Sequence, residues 1–141
     1  MATASSVTFA TQTYFGRGIK TLTISWIGAS ADGSVASVTT DRITTQFCQG
    51  YDLGAVEIVP GAPAPQAGYG ITISDIYVSD LMGGVLTGLS HTTPQYFLPL
   101  LNGIVYGARP IFGTLTFALT SQNVSVAQGL CILFLYRSGG E

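Results

Sequence analysis

The stretch from Pro60 to Gly88 most constrains the fold, because it excludes a helix across the middle of the 141-residue chain. Each proline in it fixes φ and removes a backbone donor, which predicts an extended loop over 60–68. Tyr69–Val78 then alternates between apolar and polar residues as a β-strand does. Gly83-Gly84 and Gly88 close the stretch with a turn region.

Alternating hydrophobic residues predict strands on both sides of this stretch, most clearly in Ile19–Ile27 and Gly113–Thr120. Each of these two segments places three apolar side chains on one face: Leu22, Ile24 and Trp26 in the first, Leu115, Phe117 and Leu119 in the second. Leu130–Tyr136 is a continuous apolar run of strand length, which favours a central strand covered on both faces.

Weaker patterns fill the rest of the chain. Asp32-Gly33 is a hairpin signal, with Ser34–Thr40 as the returning strand. In Asp41–Gln49, a loop or short strand is favoured over one helical turn. Further strand candidates are Val7–Phe15, Gly54–Val59 and Ile104–Tyr106.

Together these patterns predict an all-β protein, an antiparallel β-sandwich of jelly-roll or Ig-like type. Residues 1–15 form either a flexible N-terminal arm or a first strand, and 16–141 form a single sandwich domain.

Charged residues are scarce, which favours an assembled protein over a free monomer. They make up 9% of the chain, five basic and seven acidic, against about 25% in an ordinary domain. The basic residues are scattered, so no nucleic-acid partner is expected. No apolar run is long enough to span a membrane, and the N-terminus lacks the pattern of a secretory signal.

Residues that could carry chemistry are few, and we expect neither an enzyme nor a cofactor or metal site. His91 is the only histidine, and no nucleophile motif accompanies it. Asp75 and Asp80 are two carboxylates without a third nearby, so turn capping is favoured over a cation site. Cys48 and Cys131 have no metal-type spacing, and packing is favoured over a disulfide.

Two segments are candidates for contacts with a partner. The first holds five apolar residues, which would form either a contact surface or a plug at one end of the sandwich: Tyr96, Phe97, Leu98, Pro99 and Leu100. The second is the arm Ala2–Phe15, which could add a strand to a neighbour's sheet through Val7, Phe9, Tyr14 and Phe15.

The central stretch resembles small virion proteins of tailed bacteriophages that are commonly assigned as capsid decoration, or cement, proteins. The matching residues in the first half of the motif are Pro60, Gly61, Pro63, Pro65, Tyr69, Ile71, Thr72, Asp75, Asp80, Gly83 and Gly84. Those in the second half are Gly113, Thr114, Leu115, Thr116, Thr120, Gly129, Leu133 and Leu135. The opening Gly16–Trp26 is also similar. The family's acidic stretch before the glycine pair is reduced here to Asp75 and Asp80.

This resemblance implies a non-enzymatic protein on the outer surface of the virion capsid, assembled in the host cytoplasm. Its partner would be the major capsid protein, whose neighbouring subunits it would bridge, and it would act as a homo-oligomer, with a trimer favoured. The alternatives are a tail, connector or fibre component, or a carbohydrate-binding adhesion module on the virion surface.

Overall fold

The computed structural model describes residues 3–14 and 18–137 and shows a mostly β protein with antiparallel sheets and one short helix. In chain order the elements are β1 Ser6–Tyr14, β2 Ile19–Ile27, β3 Val38–Thr39, α1 Arg42–Cys48, β4 Tyr51–Pro60, β5 Gly70–Ser74, β6 Gln95–Phe97, β7 Leu100–Leu101, β8 Val105–Tyr106, β9 Arg109–Pro110, β10 Thr116–Thr120 and β11 Gln128–Arg137.

The larger sheet has the strand order β1-β2-β11-β4-β6, and β9 also pairs with β4. β11 lies at its centre, where Leu133 is opposite Leu22 of β2 and Val56 of β4. The predicted central strand therefore exists. Its two faces differ, however, because Cys131, Leu133 and Leu135 are buried whereas the residues between them are only half-buried.

A smaller sheet, β3-β10-β5, contributes the other part of the core. Ile73 of β5 and Phe117 of β10 are buried in the same hydrophobic cluster as Leu22, Ile24 and Trp26 of β2. The rings of Trp26 and Tyr69 lie 5.8 Å apart and join the larger sheet to the segment that leads into β5. The alternation of β2 therefore places its apolar face against the core, as the sequence predicts.

The N-terminal segment is a strand along most of its described length. β1 pairs with β2 in an unbroken antiparallel register, from Ser6 opposite Ile27 to Tyr14 opposite Ile19. The preceding residues are also held, because Ser30 N donates to Thr3 O at 2.9 Å and Thr3 N donates to Ser30 Oγ at 2.6 Å. A flexible arm is therefore wrong for 6–14, and the first-strand alternative describes these residues.

Two further expectations are wrong. Asp41–Gln49 contains the helix α1. The Asp41 carboxylate caps the first turn of this helix by accepting a hydrogen bond from Thr44 N at 2.7 Å. Ser34–Thr40 does not return along β2, because β1 occupies that edge. Only Val38–Thr39 is a strand, and it pairs with β10.

The strand predicted over Tyr69–Val78 ends at Ser74. Beyond it, Asp75 N donates to the Val78 carbonyl at 2.8 Å, which turns the chain. Leu81 N then donates to Ile73 O at 2.7 Å, so the following segment folds back on β5.

A small hairpin, β7-β8, projects from the segment 98–107. Asn102 and Gly103 turn it with φ of 53° and 69°, a conformation that Asn and Gly tolerate at little cost. Its base is held by hydrogen bonds from Leu100 N to Met82 O at 3.2 Å and from Gly107 N to Pro99 O at 2.9 Å.

Both cysteines are free and buried, Cys48 at the end of α1 and Cys131 in β11, and both side chains pack in the hydrophobic core. Within 3–14 and 18–137, no helix is long and apolar enough to span a membrane.

Candidate functional site

The face of the larger sheet that points away from the core carries aromatic and aliphatic side chains with a few polar side chains between them. We call it the outer face. It is contributed by β1, β2, β4, β6 and β11 and consists of Tyr14, Ile19, Thr21, Thr23, Glu57, Tyr96, Ile132, Phe134 and Tyr136.

Strand register brings these residues together, because directly opposite residues in an antiparallel sheet share a face. One row runs Ala10, Thr23, Ile132, Glu57 and Tyr96 across all five strands. A parallel row at the end of the sheet contains Tyr14, Ile19 and Tyr136. The outer face is therefore set by pairing between distant parts of the chain.

The aromatic side chains of the outer face are in contact with one another. The ring centroids of Tyr96 and Phe134 are 5.6 Å apart at an interplanar angle of 56°. The Tyr136 ring lies over Gly54, where β4 has a bulge and no side chain separates ring from backbone. A groove of about 400 Å³ lies between Tyr14, Ile19, Tyr96, Phe134 and Tyr136.

The pKa shift of Tyr96 is consistent with this close packing. Partial desolvation raises the pKa of the Tyr96 hydroxyl, and the nearby Tyr136 and Glu57 raise it further. Tyr96 is nevertheless 61% exposed, so the ring is a large hydrophobic side chain that remains accessible. This combination of a supported ring and an open face is typical of a contact surface.

The β7-β8 hairpin forms a second apolar surface, which we call the hairpin tip and define as Leu98, Ile104, Val105 and Tyr106. Ile104 is 80% and Tyr106 62% exposed. The hairpin base is held by Arg109, whose guanidinium donates to the Leu100 carbonyl at 3.4 Å. An exposed apolar tip on an anchored base is able to insert into a partner without a large ordering cost.

A third exposed group lies at the junction of 75–78 with 112–113. Tyr77 and Phe112 meet edge to face at 5.7 Å, and Ile76 beside them is also exposed. Asp75 supports this group, because its carboxylate accepts from Phe112 N at 2.9 Å and from Gly113 N at 3.1 Å.

The two aspartates cap turns, as predicted. Asp75 also accepts from Ile76 N at 2.6 Å, and Asp80 accepts from Met82 N at 3.2 Å and Gly84 N at 2.8 Å. In the described part of the chain, no three His, Cys, Asp or Glu side chains group closely enough to hold a metal ion.

Burial dominates the pKa shifts of the buried ionisable groups. Burial raises the pKa of the Cys48 thiol to about 12, and it also raises the pKa of Cys131 and of the Tyr69 hydroxyl. The Lys20 ammonium makes cation–π contacts within the chain, because Nζ lies 4.3 Å from the Phe47 ring centroid and 4.1 Å from the Tyr51 ring centroid.

The structure divides the predicted contact residues between surface and interior. Tyr14 and Tyr96 line the same groove, and Leu98 belongs to the hairpin tip. Of the others, Pro99 is buried, whereas four are half-buried: Val7, Phe9, Phe97 and Leu100. Val7, Phe9 and Phe97 pack against the core, and Phe15 lies outside the described residues.

Of the hairpin tip, sequence reasoning named only Leu98 as a contact residue, and it missed Ile104, Val105 and Tyr106. It also missed the contribution of Phe134 and Tyr136 to the outer face. The Asn102-Gly103 pair was an available signal for the hairpin. No comparable signal existed for the outer face, because it depends on which strands become neighbours.

Comparison with known proteins gave no match to any family model, curated protein or solved structure.

Proposed function

We propose that this chain is a non-enzymatic structural protein of a tailed-phage virion, which binds the outside of the assembled capsid and bridges neighbouring major capsid subunits. Its larger sheet and the smaller sheet β3-β10-β5 would form a β-sandwich of jelly-roll or Ig-like type. The observation that carries the proposal is the accessible aromatic outer face on a protein with few charges. The resemblance of Pro60–Gly84 and Gly113–Leu135 to decoration proteins supplies the choice of partner.

The contact would act through burial of apolar side chains. Each large side chain that leaves water contributes about 1.5–3 kcal/mol before ordering costs are subtracted. The outer face and the hairpin tip together offer several such side chains, among them Tyr14, Tyr96, Ile104 and Tyr106. Repetition over many equivalent capsid positions multiplies a modest contact into a large stabilisation of the shell.

The scarcity of charge supports this mechanism and predicts how binding depends on salt concentration. Few ion pairs are available, so binding should change little between low and high salt, unlike an interface held by surface charges. A contact of this kind needs neither a metal nor a cofactor.

The test is to count bound copies of purified protein on separated expanded heads and on tails. Saturable binding to heads at hundreds of copies supports the proposal, and binding to tails instead supports a tail, connector or fibre component. Tyr96→Ser and Ile104→Ser should each weaken head binding at least tenfold. Thr93→Ala, at an exposed polar position, is the matched control and should bind normally. Absence of binding to heads overturns the proposal.

One observation favours a second candidate, a carbohydrate-binding adhesion module on the virion surface. Tyr14, Tyr96 and Tyr136 line one groove, and tyrosine rings with polar tips suit stacking on sugars. Binding on a glycan array that Tyr136→Ser abolishes, with no binding to heads, would select this candidate.

A further inference from the structure

The edge strand β1 lacks the features by which proteins usually protect a sheet edge. It is nine residues long, and its sequence SVTFATQTY contains no charged residue and no proline. Its pairing with β2 has no bulge. Such a strand presents a row of main-chain donors and acceptors to another chain.

The opposite edge of the same sheet is protected. It consists of β6, three residues long, and β9, two residues long. Pro94 precedes β6, and Pro110 lies within β9. Because short strands and prolines block further pairing, this edge is a poor partner for β1 of another copy.

The described part of the chain leaves most of β1 exposed to solvent. Val7 and Phe9 are half-buried against the core, but all five residues from Ala10 to Tyr14 are exposed, whichever face they occupy. Within 3–14 and 18–137, β2 is the only strand that pairs with them.

We propose that β1 pairs with β1 of a second copy of this chain, antiparallel about a two-fold axis at Ala10. This register sets Ala10 opposite itself, Thr8 opposite Gln12 and Ser6 opposite Tyr14. Because the strand carries no charge, no pair in this register brings like charges opposite each other. The protected edge β6/β9 disfavours head-to-tail pairing, which a trimer built through this sheet would require.

Pairing of this kind joins two larger sheets into one continuous sheet. The groove lined by Ala10, Gln12 and Tyr14 then lies beside its copy, so the two outer faces form one extended surface. The inference stands apart from the capsid role. It makes the first assembly of the protein a dimer, in place of the trimer favoured by sequence.

The first test is the mass of the purified protein in solution, by light scattering after size exclusion. Twice the 14.7 kDa of the chain is expected, and a monomer or a trimer overturns the inference. Ala10→Lys places two lysines opposite each other at the axis and should shift the protein to monomer. A dimer that persists in a folded Ala10→Lys protein also overturns the inference.

A cross-linking test covers the case in which Ala10→Lys does not fold. Opposite residues of an antiparallel pair have Cβ atoms about 4.5–5.5 Å apart, so a short bis-maleimide should join two copies of Ala10→Cys. Cys48 and Cys131 are buried and should not react. Ala108→Cys, an exposed position near β9, is the control and should stay unlinked. Linking of the control but not of Ala10→Cys overturns the inference. A dimer that fails to bind heads contradicts only the proposed function.

Discussion

Gly129 lies directly opposite Trp26 across the β11-β2 pair, and the indole ring occupies the space that a side chain at 129 would need. A β-carbon on Gly129 would fall 2.6 Å from Cζ2 of the indole and 2.8 Å from Nε1. Trp26 is buried and contacts Tyr69, so the ring cannot move aside without disturbing the core. Glycine at 129 is therefore required by packing rather than by backbone conformation.

Gly129→Ala should lower the free energy of unfolding by about 1–3 kcal/mol, because overpacking displaces Trp26. Urea denaturation followed by tryptophan fluorescence measures both the stability and the displaced ring. Gly107→Ala is the control, since its β-carbon would meet only the flexible end of Leu101. Equal stability of Gly129→Ala and the parent protein would contradict this account of the packing.

Lys20→Met should destabilise the protein by about 1–2 kcal/mol, although it replaces a charge by an apolar side chain of similar length. The Lys20 ammonium lies over two rings, those of Phe47 and Tyr51, and donates to the Phe47 carbonyl at 3.0 Å. Thermal or urea unfolding checks the loss. Arg42→Met removes an exposed charge from α1 and should change stability by less than about 0.5 kcal/mol. A Lys20→Met protein as stable as this control would show that the ring contacts contribute nothing.

Asp75→Ala should cost about 1–3 kcal/mol, because three backbone N–H groups lose their acceptor and the 112–113 segment loses its attachment. Asp32→Ala is the control. Its carboxylate bonds only to Ser34 within one exposed turn, so the loss should be smaller.

The Asp75 experiment also tests the cation alternative. Millimolar Ca²⁺ or Mg²⁺ should leave the melting temperature of the parent protein unchanged, because the two aspartates are occupied by backbone donors. A rise in melting temperature that Asp75→Ala removes would instead establish a cation site.

Stability should fall as the pH rises above about 9, the ordinary pKa of this thiol. Burial raises the pKa of Cys48 to about 12 in the folded protein, so the unfolded chain loses this proton first. The stabilisation is complete below about pH 9 and is lost progressively up to about pH 12, at about 1.4 kcal/mol per pH unit.

Denaturation at pH 7 and pH 10 measures this loss. Cys48→Ala should reduce the difference in free energy of unfolding between pH 7 and pH 10. Part of that difference should remain, because burial also raises the pKa values of Cys131 and Tyr69. An unchanged difference in Cys48→Ala would exclude this thiol as a cause.

Sequence alone predicted the elements whose pattern is determined locally. Leu22, Ile24 and Trp26 alternate within one strand, and all three are buried as predicted. The turn-capping role of Asp75 and Asp80 was predicted too, because aspartate bonds to nearby backbone N–H groups in turns.

The errors occurred where distant pairing or tertiary burial decides the outcome. A loop or short strand was expected over Asp41–Gln49, but the segment contains α1, in which Thr44 and Cys48 are buried and Ile43 is 78% exposed. Ser34–Thr40 failed as a hairpin partner because β1 takes the edge of β2. Similarly, the outer face could not be derived, since Tyr14, Tyr96 and Tyr136 meet only through non-local register.

The central position of β11 has a consequence for biosynthesis. β2 and β4 are made early, but the strand that separates them comes near the end of the described chain. At about 5–20 residues per second, a ribosome leaves the inner edges of both strands unpaired for several seconds. Nascent chains on one polysome therefore carry open strand edges side by side, and chaperones that cover such edges should determine the yield of the folded protein.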